Sequence, residues 1–222
     1  MTAPAKLKID FVSDVACPWC AIGLASLERA LERVRGEIEP ELHFQPFELN
    51  PQMPPGGQDV TEHLTQKYGS TPEQQAAARE GIRQRGAAVG FEFNPQGRGR
   101  VYNTFDAHRL LHWAGGQSSE KQHALKKALL EAYHGQGRSP EDHAVLLAAV
   151  AQAGLDAAEA KAVLEEGRYA KEVRDEEQQW LSNGIHAVPS VVLNGKWLVQ
   201  GGQPPEVFEQ ALRQIAGETE AA

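Results

Sequence analysis

The chain has few cysteines and a deficit of positive charge. Among its 222 residues there are two cysteines, 22 basic residues and 30 acidic residues, so the formal net charge is −8. No segment collects enough lysine and arginine to follow a phosphate backbone, and nucleic acid is therefore not an expected partner. A chain of this length can bury a sizeable core, so we expect a globular protein with one large domain or one domain that carries an insertion.

Long hydrophobic runs are also missing from the sequence. Nowhere do about 18 apolar residues follow one another, as a membrane-spanning helix would require, and residues 1–15 lack the apolar centre of a signal peptide. We therefore expect no membrane partner and a cytoplasmic location. Thiols are normally kept reduced in that compartment, so a close pair of cysteines is expected to be catalytic, redox-sensing or metal-binding rather than a structural crosslink.

The beginning of the chain has the pattern of a β-α-β unit. Apolar and polar residues alternate at 6–12 and at 42–49, which predicts two strands, and the apolar spacing at 21–35 predicts a helix between them. Such a connection is expected to form a right-handed crossover. Both cysteines lie at the predicted turn from the first strand to the helix.

The middle of the chain is predicted to be helical from residue 59 to about residue 183. The segment Ser70-Thr-Pro-Glu73 offers an N-cap, an early proline and a glutamate placed for a capping box. Strand patterns return at Ser190, where Asn194-Gly195 between two β-branched stretches predicts a hairpin, followed by a closing helix. Further helices are predicted at 103–114, 119–134, 139–153 and 156–183, the last one broken near Gly167.

Together these patterns predict an α/β fold that is split in the sequence by a large all-helical insertion. The α/β domain is predicted to comprise residues 1–58 and 180–222. The helical insertion domain is predicted to comprise residues 59–179.

Both cysteines belong to the motif Cys17-Pro18-Trp19-Cys20. If the helix begins at Cys17 or Pro18, the Cys17 sulfur lies beside unpaired N–H groups at the positive end of the helix dipole, and both favour a thiolate. Thiols so placed have pKa values of about 3.5 to 7.5, compared with about 8.5 for a free cysteine. Because Cys20 lies one turn further on and deeper, we predict that Cys17 attacks a disulfide and that Cys20 resolves it.

Other interpretations of the cysteine pair remain open at the level of spacing. The two residues could be ordinary small core residues, or they could be two of the four ligands of a zinc site. A zinc site needs two more ligands, and the eight histidines are scattered along the sequence. Only His186 has a context that could bring it near the pair, so no metal site is predicted.

Several motifs together resemble those of a known family. The CPWC motif after the opening strand, the helical insertion and the segment GIHAVPSVV before the hairpin resemble the DsbA-like branch of the thioredoxin superfamily. The segments PFELNP and NTFDAHRLLHWA are more closely similar to its cytoplasmic FrnE-like members. The resemblance covers nearly the whole chain and implies a thioredoxin-like fold, in which a mixed sheet is built from a βαβ unit followed by a ββα unit.

The resemblance implies an activity and the residues that perform it. Cys17 corresponds to the nucleophilic cysteine of the family and Cys20 to the resolving cysteine, so the implied activity is thiol–disulfide exchange of the reductase or isomerase type. The redox-active Cys17–Cys20 disulfide replaces any bound cofactor, with glutathione as a candidate co-substrate. The implied partners are client proteins that contain disulfides, or small thiols and disulfides.

Residues around the cysteines are implied to bind the substrate. Pro189 corresponds to the cis-proline whose loop faces the disulfide, and Val188 would offer its backbone to an extended substrate peptide. Trp19, preceded by Pro18, would be an exposed part of the same platform, and a half-buried packing position is its alternative. His186 is a candidate for stabilising a thiolate when protonated, and a plain surface position in the loop is its alternative.

Departures from the family pattern limit the expected activity. Oxidising members often carry histidine at the position of Trp19, and an indole offers no comparable charge, so strong oxidant behaviour is not expected. Some FrnE-like proteins have a second cysteine pair, which this chain lacks. Glutathione-dependent isomerases and kappa-type glutathione transferases resemble the same fold but usually carry a lone serine, and they are the alternative function, ahead of a non-catalytic binding or chaperone role.

Overall fold

The structure is a computed structural model that describes residues 4–220. Its main sheet has the strand order β2-β1-β5-β6, with β1 parallel to β2 and antiparallel to β5, and β5 antiparallel to β6. A short ribbon pairs β3 with β4. The strands are β1 (Ala5–Ser13), β2 (Ile38–Pro46), β3 (Gln58–Asp59), β4 (Arg100–Val101), β5 (Ser190–Leu193) and β6 (Trp197–Gln200). This arrangement confirms the predicted mixed sheet.

Helices surround the sheet and fill the middle of the chain. A π-helical turn, Glu131–Gly135, continues the fifth helix. The helices are α1 (Pro18–Arg33), α2 (Val60–Tyr68), α3 (Pro72–Val89), α4 (Phe105–Gly115), α5 (Ser119–Leu130), α6 (His143–Gln152), α7 (Ala157–Glu165), α8 (Ala170–Ser182) and α9 (Pro205–Glu220). The gap between α7 and α8 confirms the predicted break near Gly167, which has a φ of +67°.

Two buried clusters meet at the start of α1. One cluster covers the main sheet and includes Cys17 and Cys20. The other lies among the inserted helices and includes Val15 and Ala16, the two residues directly before Cys17. The turn between β1 and α1 is therefore embedded in the sheet core on one side and in the helical core on the other.

Helix α5 joins the insertion to the edge of the sheet. Gln122 is buried on α5, and its side-chain carbonyl accepts a hydrogen bond from the Phe44 N–H of β2 at 3.0 Å. Its amide nitrogen donates to the carbonyls of Phe44 and Leu111, at 3.1 Å each. One side chain thus satisfies the N–H and carbonyl of Phe44 on an edge strand and also binds the Leu111 carbonyl of α4.

The predicted second strand needs a correction. The alternating pattern placed it at 42–49, but β2 runs from Ile38 to Pro46. Proline has no N–H with which to continue a ladder, so Pro46 ends the strand. The strand begins earlier because its pairing with β1 starts at Ile38, opposite Ala5.

The predicted start of the third helix also needs a correction. The N-cap is Thr71 rather than Ser70, and the capping box is completed by Gln74 rather than by Glu73. Pro72 takes the first helical position, where its missing N–H has no partner to lose, and this fixes the cap one residue before it.

The division of the chain into domains at residues 59 and 180 stays a prediction. Position 59 is the last residue of β3 and caps α2, whereas position 180 lies inside α8. The predicted ranges begin at residue 1 and end at residue 222, and residues 1–3 and 221–222 lie outside the described part of the chain. Across residues 4–220, no helix combines the length and the apolar character needed to cross a membrane.

Replacing Gln122 tests whether this contact anchors the insertion to the sheet. In Gln122→Leu the Phe44 N–H and carbonyl lose their partners in a buried place, so we expect the free energy of unfolding to fall by about 2–4 kcal/mol. The matched control is Gln179→Leu, the same change on the exposed face of α8, which should alter it by less than about 0.5 kcal/mol. Equal urea midpoints for the two variants would contradict the assignment.

Candidate active site

Helix α1 begins directly after Cys17. Cys17 is the N-cap with extended backbone angles, φ −90° and ψ 116°, and Pro18 is the first helical residue. The Cys17 sulfur thus lies at the start of the helix, where the first backbone N–H groups have no partner within the helix. The prediction that the helix opens at Cys17 or Pro18 is confirmed.

The two cysteines differ in depth, and the outer one contacts a distant loop. Cys17 retains 4% of its exposure and Cys20 retains none. The Cys17 thiol donates a hydrogen bond of 3.6 Å to the Val188 carbonyl, which lies just before β5. The fold thereby brings the CPWC motif into contact with the segment around Val188 and Pro189, as the family resemblance implied.

The loop containing Val188 and Pro189 packs tightly on α1. The peptide bond between these two residues is cis, and the Gly201 N–H donates to the Pro189 carbonyl at 2.8 Å. A Cβ at Gly23 would lie 2.9 Å from Cγ of Pro189, closer than real side chains pack. A glycine at this position on α1 is therefore what lets the loop reach Cys17.

Trp19 is half-buried, so the structure corrects the exposed position and has the packing alternative instead. Its ring packs against the sheet core, and the Arg85 guanidinium of α3 lies 5.4 Å from the ring centroid. On the other side, a Cβ at Gly202 would lie 3.1 Å from the Trp19 carbonyl. A side chain from the insertion and a turn after β6 thus enclose the residue between the cysteines, which the spacing in the sequence did not reveal.

His186 is not drawn into the cysteine pair. Its side chain is exposed, and within residues 4–220 no hydrogen bond or ion pair joins it to Cys17 or Cys20. His186 therefore has the plain surface position in the loop that was its alternative prediction. Of the residues singled out in the sequence, it brings together Cys17, Cys20, Val188 and Pro189, with Pro18 and Trp19 beside them.

The two thiols have different pKa values because their surroundings differ. A hydrogen bond from the Cys20 thiol, with others from the N–H groups of Cys20 and Trp19, lowers the pKa of Cys17 although burial and the charge of Asp14 oppose this. Burial raises the pKa of Cys20 well above the usual range, and the neighbouring Cys17 sulfur raises it further. Cys17 is thus the sulfur that ionises first.

A buried carboxylate organises the turn before Cys17. Oδ1 of Asp14 accepts hydrogen bonds from the Ala16 N–H at 2.9 Å and from the Thr104 hydroxyl at 2.8 Å, and Oδ2 accepts from the Leu49 N–H at 2.7 Å. His108 lies 3.5 Å from Oδ1, too far for a well-formed hydrogen bond. Burial raises the pKa of Asp14, but His108 and the backbone donors outweigh it, so the pKa is lowered and the carboxylate stays ionised.

Side chains of the insertion hold the same turn by its carbonyl groups. The His134 ring nitrogen Nε2 lies 2.8 Å from the Val15 carbonyl, and Arg98 donates to the Ala16 carbonyl at 2.5 Å. Burial lowers the pKa of His134 to about 3, so the ring is neutral and Nε2 is the donor. The insertion therefore fixes the backbone that carries the candidate nucleophile.

Sequence reasoning missed one charged residue that lies close to the pair. Lys126 on α5 is 0% exposed, and its charge acts on Cys20, Cys17 and Asp14. A signal for it existed, because Gln122, Lys126 and Leu130 recur every four residues and share one face of α5. A lysine on a helix face that also carries a core leucine is unusual. The sequence does not show that this face of α5 packs toward the cluster of the cysteines, and only the tertiary structure reveals it.

The chain is similar to known proteins over nearly its whole length. A family model described as a DSBA-like thioredoxin domain matches residues 8–213. A crystal structure of a probable DsbA oxidoreductase from Streptomyces coelicolor is 36% identical and has a TM-score of 0.88, over 96% of this chain and 91% of that one. The uncharacterized protein YwbO of Bacillus subtilis is 27% identical over 210 residues, which cover 92% of this chain and 94% of that protein.

A more distant structure shares the fold. The cytosolic disulfide reductase DsbM from Pseudomonas aeruginosa, solved with glutathione, is 19% identical and has a TM-score of 0.63. The match covers 94% of this chain and 98% of DsbM.

The acidities of the two thiols predict their order of alkylation. In the reduced, folded protein we expect iodoacetamide at pH 7 to modify Cys17 at least about tenfold faster than Cys20, because only the thiolate reacts and Cys17 ionises first. Fragmentation mass spectrometry of the shared peptide at successive times measures both rates. Faster modification of Cys20 would reverse the assignment.

The buried neutral histidine predicts a loss of stability in mild acid. The unfolded chain binds a proton at His134 near pH 6.5, whereas the folded chain does so only near pH 3, so stability is lost as the pH falls below 6.5. Between pH 7 and pH 5 we expect this residue to cost the wild type about 2 kcal/mol of unfolding free energy. His134→Gln keeps a donor for the Val15 carbonyl, and its free energy of unfolding, measured with urea, should lack that part of the pH dependence. If the free energy of unfolding changed equally with pH in the variant and the wild type, the prediction would be wrong.

Proposed function

Because the chain belongs to the family of DsbA-like thioredoxin domains, we propose that it catalyses thiol–disulfide exchange through Cys17 and Cys20. The observation that carries this proposal is the asymmetry of the pair. One sulfur lies at the N-terminus of α1 with a lowered pKa, and the other lies behind it with a raised pKa. An attacking thiol and a resolving thiol need this difference.

The exchange proceeds in two steps. The Cys17 thiolate attacks one sulfur of the client disulfide, which forms a mixed disulfide and releases the other client sulfur as a thiolate. Cys20 then loses its proton and attacks the Cys17 sulfur, so the client leaves as a second thiolate and the Cys17–Cys20 disulfide forms. The client gains two electrons and the cysteine pair loses two, and the reverse sequence oxidises a client.

The surroundings of Cys17 suit an extended substrate segment. The Val188 carbonyl lies within 3.6 Å of the attacking sulfur, so a peptide that pairs with this backbone would place its disulfide beside Cys17. The half-buried rings of Pro18 and Trp19 offer apolar contact at the same place. A platform made mainly of backbone and apolar rings recognises a disulfide and its flanking chain rather than one particular side chain.

Several features favour a reductase or isomerase in the cytoplasm over a strong oxidant. Trp19 supplies no charge to stabilise the Cys17 thiolate where oxidising relatives often have histidine. The distant neighbour DsbM is named a cytosolic disulfide reductase and was solved with glutathione, which supports glutathione as the co-substrate here. The segments PFELNP and NTFDAHRLLHWA support placement among the FrnE-like members.

Equilibration with glutathione tests both the reaction and its direction. Incubation with reduced and oxidised glutathione should remove two titratable thiols per chain as the Cys17–Cys20 disulfide forms. A reduction potential below roughly −250 mV is that of a reductase, whereas one above roughly −180 mV would assign an oxidant or isomerase. A protein that binds glutathione but keeps both thiols free would instead support the glutathione-dependent isomerase or transferase.

A trapping experiment tests the division of labour between the sulfurs. Cys20→Ser should leave Cys17 able to attack but unable to release its client, so covalent adducts with proteins or glutathione should accumulate and dissolve on addition of a reductant. The matched control is Cys17→Ser, which should trap far less because the remaining sulfur is buried and has a raised pKa.

Non-reducing gels and intact mass spectra of the two variants, purified from the same cells, measure the adducts. Adducts as abundant with Cys17→Ser as with Cys20→Ser would rule out a mechanism in which Cys17 leads.

A further inference from the structure

Lys126 is a buried cation without a hydrogen-bond partner. Its side chain is fully buried on α5, and within the described residues its Nζ has no acceptor in reach. Burying an ammonium group in this way costs several kcal/mol, and proteins normally avoid the cost by pairing the charge or by replacing the residue with an apolar one. A lysine kept in such a place calls for a function that methionine or leucine could not perform.

The position of Lys126 on its helix directs it toward the cysteines. Gln122, one turn earlier on the same face, binds the Phe44 backbone at the sheet edge. Leu130, one turn later, belongs to the buried cluster that contains Cys17 and Cys20. Because residues four apart on a helix are neighbours, Lys126 shares the buried face of α5 with a residue that binds the sheet edge and with one that packs in the cluster of the cysteines.

The groups around Lys126 come from several elements. The charges of Cys20 and Cys17 on α1 and of Asp14 after β1 act on Lys126, and the charge of Lys126 acts on His134 in the π-helical turn after α5. Asp14 already accepts hydrogen bonds from other groups, and His134 is neutral. Burial lowers the pKa of the Lys126 amine, and Cys20 is the largest of the influences that raise it.

We propose that Lys126 is a positioning residue for the second step of the exchange, in which its ammonium charge stabilises the Cys20 thiolate that attacks the mixed disulfide. This inference rests on the proposed function and adds to it a group outside the CPWC motif. The need for such a group follows from the burial of Cys20, because a thiol in an apolar interior ionises poorly and a poorly ionised thiol resolves slowly. A cation behind it offsets that cost.

Lys126 supplies only its electric field and is not consumed. In the step, the Cys20 thiolate forms a bond to the Cys17 sulfur, the bond between Cys17 and the client sulfur breaks, and the client departs as a thiolate. The proton that Cys20 gave up passes to that thiolate through solvent. The two cysteines end oxidised and the client reduced, and Lys126 ends the step in the protonation state in which it began.

An aromatic disulfide separates the two steps in one experiment. Reduced wild type mixed with 5,5′-dithiobis(2-nitrobenzoic acid) should release one coloured thiolate in a phase that depends on reagent concentration, when Cys17 attacks, and a second in a phase that does not, when Cys20 resolves. In Lys126→Met the second phase should slow by roughly 3- to 4-fold, which is the effect of about one unit in thiol pKa after allowance for its nucleophilicity. Its pH profile should also move to higher pH.

The neighbouring residue provides a matched control. Lys127→Met removes the same charge from the same helix, but Lys127 is 55% exposed and pairs with Glu28. It should leave the rate of the second phase and its pH profile unchanged. Lys126→Met should also unfold at the same or a higher temperature than the wild type, because it removes a buried unpaired charge, so slower resolution could not be attributed to a damaged fold.

A measurement on the wild type covers the case in which the variant does not fold. The ¹³Cε signal of Lys126 should titrate at lower pH in the oxidised protein than in the reduced one, because oxidation removes the neighbouring thiolates. Equal second phases in Lys126→Met and the wild type, or equal titrations in the two redox states, would overturn the role of Lys126. A wild type that releases no second thiolate would instead refute the proposed two-cysteine function.

Discussion

The buried carboxylate of Asp14 is the interaction on which the candidate site depends. It ties together the turn after β1, the segment after β2 and the start of α4 through the Ala16 N–H, the Leu49 N–H and the Thr104 hydroxyl. A single ionised group can do this because a carboxylate accepts several hydrogen bonds at once, and bonds to a charged acceptor are stronger than neutral ones. The same charge raises the pKa of Cys17, so the anchor of the turn opposes the chemistry that the turn supports.

The helical insertion is a working part of the site and more than a cover over it. Val15 and Ala16 pack into the insertion's core, and their carbonyls contact His134 and Arg98. Side chains of the insertion therefore fix the backbone before Cys17, whereas the helix after Cys17 packs against the sheet. A change in the packing of the inserted helices would reach Cys17 through this turn, without any contact to a substrate.

What could be predicted from the sequence is what depends on neighbours along the chain. Cys17 as the N-cap and the turn at Asn194-Gly195 follow from local backbone preferences, and the structure has the helix start and the hairpin there. The half-buried state of Trp19 and the burial of Lys126 depend on helices that pack from far along the chain. Local patterns do not encode those contacts. The four-residue spacing of Gln122, Lys126 and Leu130 indicates that Lys126 lies on a core face, but it does not show what that face packs against.

The electrostatics of the pair set two demands that conflict. For Cys17 to attack first, its pKa must lie below that of Cys20, and the start of α1 together with the burial of Cys20 achieves this. For the client to be released, Cys20 must still ionise at an acceptable rate, and deeper burial alone would prevent it. The charge of Lys126 interacts with both thiols. Among the groups that raise the pKa of Lys126, Cys20 has the largest effect, so the interaction is strongest with the inner sulfur. In the exchange that we propose, the charge of Lys126 therefore allows burial to set the order of attack without trapping the client in the mixed disulfide.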